Sequence, residues 1–145
     1  MFFKKTLHQE RIEINSYQAN IQVSKHPKLK QQLNMLKLTE TDLKYLSAFQ
    51  PYVEKNINDI IDSFYAVLGI DSSLVKIINE HSSVERLKVT LKKHIYEMFS
   101  GIIDEQFIQK RKRIAHVHVY IGLPTQSYLA AFQNLNLSFM QYVQD

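Results

Sequence analysis

The chain has 145 residues, 45 % of them apolar and 22 % charged, a formal charge of +4 at pH 7 and no cysteine. That length makes one domain able to bury about 70 % of the surface its unfolded form exposes, and the lack of thiols excludes disulfides, zinc held by thiolates and cofactors attached through a Cys pair. No apolar run approaches the ~20 residues needed to span a bilayer, no signal-peptide pattern opens the chain, and the scattered lysines come with no recognition motif, so a cytoplasmic protein that binds no nucleic acid is expected.

Residues 1–26 mix polar, aromatic and charged types with weak periodicity and read as an N-terminal extension to one domain over 27–145. A short helix is expected from Pro27 to about residue 37. Thr39-Glu40-Thr41-Asp42 then has the form of a capping box opening a segment to Gln50, and Pro51 is suited to be the first residue of another helix, 51–68. In that helix Val53, Ile57, Ile60, Ile61, Phe64 and Leu68 recur at spacings of three and four, with Tyr65 on the flank of the stripe. Gly69 closes it, and a short helix over 72–80 follows. Ser82-Ser83-Val84-Glu85 forms a second capping box, for a helix to residue 100 with Leu87, Leu91, Ile95 and Met98 inward and Thr90 in the same sector. Along 104–122 the positions Phe107, Ile114, Ala115, His118 and Ile121 share one side, whereas Lys110, Lys112 and His116 fall away from it. Pro124 opens a last helix carrying Tyr128, Leu129, Phe132, Leu135, Phe139 and Met140. No hairpin signal appears, and the fold class is all-α.

Three polar groups sit on or beside apolar stripes: Tyr65, Thr90 and His118. Each has an ordinary structural reading. An inward imidazole is often bonded to a carbonyl, a phenol reaches a backbone acceptor, and a helical threonine bonds back one turn. No catalytic triad, phosphate loop or carboxylate pair is visible, so a binding protein is expected rather than an enzyme.

Phe64-Tyr65, the stretch from His81 through Val84-Glu85-Arg86-Leu87 to Phe99, and the stretch from Phe107 through His116-Val117-His118 to Leu123 together resemble the globin domain of bacterial globin-coupled sensors, most nearly the haem-based aerotactic transducers. The resemblance covers about residues 25–145. It implies a globin-like fold, of which the sequence reaches the equivalent of the penultimate helix, so that the last helix is absent or the chain is shortened; it also implies noncovalent haem b and its iron as cofactor, and His118 as the metal ligand. It further implies Tyr65 and Thr90 as distal groups with Leu87 a turn before, and Tyr128 beside the ligating histidine; His81 matches a loop histidine. Phe64, Leu91 and Ile114, with Ile61, would accept the porphyrin and exclude water. A hydroxyl donor in such a pocket favours O2 over CO by about 1 to 3 kcal/mol, the scale of a hydrogen bond to a charged group. The implied function is reversible sensing of O2, with CO and NO as further ligands, passed through a homodimer of helices to a downstream signalling module. A haem-free globin-like module acting in protein interaction is the competing expectation.

Overall fold

In the computed structural model, which describes residues 13–144, six helices follow a 3-10 turn at Ile14–Ser16. They are α1 (Pro27–Met35), α2 (Glu40–Leu68), α3 (Ser72–His81), α4 (Val84–Met98), α5 (Glu105–Tyr120) and α6 (Thr125–Gln144). Two short strands, β1 (Asn20–Ile21) and β2 (Ile102–Ile103), pair in parallel, with Asn20 opposite Ile102 and Ile21 opposite Ile103. Residues 1–12 of the expected extension lie outside the described residues.

The capping box at Thr39 forms as expected: Thr39 N donates to Asp42 Oδ2 at 2.8 Å, and Asp42 N donates to Thr39 Oγ1 at 3.4 Å. Its helix, however, does not stop before Pro51. α2 runs 29 residues with Pro51 inside it. A proline inside a helix costs about 3 kcal/mol. Here Pro51 is exposed, and Leu43, Ala48, Val53, Ile57, Ile60 and Ile61 bury one continuous stripe on both sides of it. Burying each large aliphatic side chain of that stripe contributes about 1.5–3 kcal/mol, enough to carry the helix through the missing hydrogen bond.

The second capping position is shifted by one residue. Ser83, not Ser82, accepts from the backbone of the new helix, at Arg86 N. Ser82 instead ends α3, its N–H donating to Ile78 O at 2.8 Å. At the end of α5, Gly122 adopts φ +73°, Gly122 N donates to Val119 O and Leu123 N to His118 O, the double bond of a Schellman turn. The chain thereby reverses into α6 immediately after the helical turn that carries His118.

Two packed clusters hold these elements together. Val53, Ile57, Ile60 and Ile61 of α2 meet Ile95 of α4, Leu135 of α6 and Phe99, and Ile95 has no exposed surface. The second cluster joins Val23, Leu33 of α1, Leu43 at the start of α2, Ile103 of β2 and Ile108 of α5. Leu46 borders both. α2 is therefore the spine, packed extensively on α4 and α6, whereas α5 makes only light contact with other elements.

Candidate functional site

α4 and α5 are consecutive helices joined by residues 99–104. Near that join they are cross-linked: Lys110 Nζ donates to Glu97 Oε1 at 2.9 Å, Arg111 Nη1 to Glu97 Oε2 at 3.2 Å, and Arg111 Nη2 to His94 O at 3.2 Å. The Arg111 guanidinium also lies 3.9 Å from the centre of the Phe107 ring. Lys110, expected to point away, thus joins the contact between the helices. Arg111 stands seven residues before His118 on one side of α5, a cation within an otherwise apolar stripe.

Burial alone would raise the Glu97 carboxyl, but the hydrogen bonds and charges of Lys110 and Arg111 outweigh it and hold the group below its ordinary value. A depressed carboxylate stabilises the fold above its unfolded pKa, and that stability is lost as pH falls through the folded value. Glu97→Gln should therefore lower stability at pH 7 by about 1–3 kcal/mol, the cost of leaving Arg111 short of its partner. In urea unfolding the deficit should shrink at pH 3.5; a deficit independent of pH would count against this assignment.

Beyond the cross-link lie the residues singled out from sequence. Phe64 and Tyr65, late in α2, and Leu91 of α4 border the main core cluster together. The Phe64 and Tyr65 rings meet edge to face at 5.2 Å. Burial pushes the Tyr65 phenol up to about 12, so the hydroxyl is a donor at any physiological pH. On α5, His118 is half-buried and its ring lies 5.4 Å from that of Tyr128, at the start of α6. Burial holds the His118 imidazole below its ordinary value, so the ring is neutral at pH 7 and keeps a free nitrogen lone pair. Among the described residues neither the His118 ring nor the Tyr65 hydroxyl has a hydrogen-bond partner, which sets aside the carbonyl-bonded core histidine for this position. Leu87 and Ile114 are half-buried yet belong to neither packed cluster.

Other expectations fare differently. Thr90 is exposed, and its hydroxyl donates back to Arg86 O at 3.1 Å, the ordinary reading of a helical threonine. Ala115 is exposed, not inward, and Ile108, unmarked by the stripe, is the buried residue of α5. His81 is exposed, its ring 6.3 Å from Tyr120. His94 escaped notice in the sequence although it is half-buried; burial first, then the charge of Arg111, hold its imidazole low against the pull of Glu97. Two surface clefts, of about 280 Å³ between α2 and α4 and about 350 Å³ beside β1 and α1, are lined by none of the expected site residues.

Six helices arranged around the α2 spine make an all-α body of the globin-like kind. The chain belongs to the protoglobin family, whose profile matches residues 25–145. Its fold is similar to the globin domain of the Geobacter sulfurreducens globin-coupled sensor, with a TM-score of 0.75 and 23 % identity over 81 % of this chain and 77 % of that one. The resemblance read from the sequence is thus borne out at the level of family and fold. Among the described residues no helix is long and apolar enough to cross a membrane.

Proposed function

We propose that this chain is a haem-binding module that senses a diatomic gas, O2 foremost, by binding it rather than by catalysis. The observation that carries the reading is the His118 imidazole: half-buried, 5.4 Å from the Tyr128 ring, and with no hydrogen-bond partner among the described residues. Those are the properties of a nitrogen ready to ligate a metal. When bound through His118, haem b would supply a ferrous iron with one position open to the gas.

The chain's own groups would do the rest. Leu87 and Leu91 of α4 and Ile114 of α5, with Phe64, offer apolar surface to a porphyrin and exclude water. Tyr128 packs beside His118 and limits its rotation. Tyr65 has a protonated hydroxyl with no partner among the described residues, able to favour a charge-bearing ligand such as O2 over CO, while NO would also be accepted. Thr90 would have to release Arg86 O before it could serve as a second donor, so discrimination rests on Tyr65. The apolar residues Leu129, Phe132, Leu137, Met140 and Val143 that α6 leaves exposed support a homodimer through this helix, which would relay the liganded state to a signalling partner.

The test is a visible spectrum of the reduced protein after haem addition, under nitrogen, CO and air. A Soret band that moves reversibly with each gas is expected. A colourless protein after haem addition would leave the haem-free interaction module as the reading.

A further inference from the structure

The segment that precedes α1 is bonded at alternate residues to the connection that leads into α5. Gln18 Nε2 donates to Ser100 O at 3.2 Å, Asn20 N to Gly101 O at 2.9 Å, and Gln22 N to Ile103 O at 2.7 Å. His26 Nε2 then meets Glu105 Oε2 at 2.6 Å, on the first turn of α5. Between these polar contacts Ala19, Ile21 and Val23 pack with Ile103, Phe107 and Ile108. The fit has no slack at Gly101, which holds φ +78°: a Cβ there would lie 2.2 Å from Gln18 O and 3.1 Å from Leu43 O.

Strands of two residues do not persist unaided, so β1 depends on what fastens its two ends. His26 fastens the second end and does so from a fixed base. Its backbone carbonyl accepts from Lys30 N at 3.0 Å and begins α1, while its side chain reaches α5. Glu105 in turn begins the helix on which His118 lies 13 residues further on, about 20 Å along a rod that rises 1.5 Å per residue. Between the two, α5 is held to α4 by the bonds of Lys110 and Arg111 to Glu97, so a shift where the strap holds this stiff helix tilts its far end, with His118, about that clamp.

We infer that residues 17–26 form a positioning strap for the His118 helix, closed by the His26 to Glu105 contact, so that strap and imidazole orientation are coupled. Coupling of this kind is reciprocal: a ligand that moves α5 also loosens or tightens the strap. The inference uses the proposed role of His118, yet the strap can be tested without haem.

In the haem-free protein, His26→Ala should speed amide exchange at Asn20 and Gln22 by about fivefold or more, as expected when a partly exposed fastening contact is lost. Ile57 and Ile95 should keep their protection. The His118 ring resonances, assigned with His118→Gln, should shift in the same variant. His26→Gln, which places an amide donor where Nε2 was, should restore both. In haem-loaded protein the iron to imidazole stretching band should follow the same order, and CO should alter Gln22 exchange in the wild type more than in His26→Ala. Unchanged exchange, or faster exchange with the His118 resonances in place, would overturn the strap as a positioning device. Failure to take up haem would refute the gas-sensing reading alone, because exchange and ring resonances decide the strap independently.

Discussion

His118→Ala is expected to lose stable haem capture, with affinity falling by more than about 100-fold, beyond the 10- to 100-fold that loss of an outer partner of a metal ligand costs. The reduced variant should show little or no Soret absorption after haem addition and gel filtration, and added imidazole should restore part of it. The fold should survive. His118 is only half-buried, in the last turn of α5, with no hydrogen bond from its ring among the described residues, and the Schellman turn after it uses its backbone carbonyl, which alanine keeps. Far-ultraviolet dichroism should therefore match the wild type. His116→Ala, two residues away and exposed, is the control that should change neither spectrum nor fold. An unaltered Soret band in His118→Ala would remove this histidine as the ligand.

Tyr65→Phe is expected to leave haem capture intact and to speed O2 dissociation by about 10- to 100-fold, the equivalent of losing a hydrogen bond of 1.5–3 kcal/mol to a charged group. CO dissociation should change by less than about threefold, because bound CO carries little charge for a donor to stabilise. The contrast between the two gases is the readout. The ring stays, so the edge-to-face contact with Phe64 and the packing against the main core cluster persist. Only the hydroxyl, held protonated by burial, is removed. Stopped-flow rates that rise equally for both gases would point to a loosened pocket, and unchanged rates would exclude Tyr65 as the donor.

Much of this arrangement is legible in the amino acids because it is periodic. The stripe from Val53 to Leu68 and the positions Leu87, Leu91 and Ile95 specify which faces of α2 and α4 meet, and Tyr65 and His118 stand out as polar groups set into such faces. Local rules fail where neighbours outweigh them. Pro51 reads as a helix start by its own chemistry, but burial on both sides carries α2 past it. Thr90 shares a sector with Leu87 and Leu91, but its hydroxyl is taken by the preceding turn. Ser82 and Ser83 are equally good caps on paper, and the end of α3 uses the first.

The composition and spacing of the chain settle its all-α class, most of its helical segments and the two polar groups, Tyr65 and His118, on which the proposed function turns, because helical periodicity is a local property that each segment carries within itself. The cross-link of Glu97 to Lys110 and Arg111, the pairing of β1 with β2 and the reach of His26 to Glu105 emerge only when the chain is folded. Each joins groups that are far apart in the chain or on different helices, and polar partners chosen by proximity in space leave no repeat in the order of residues.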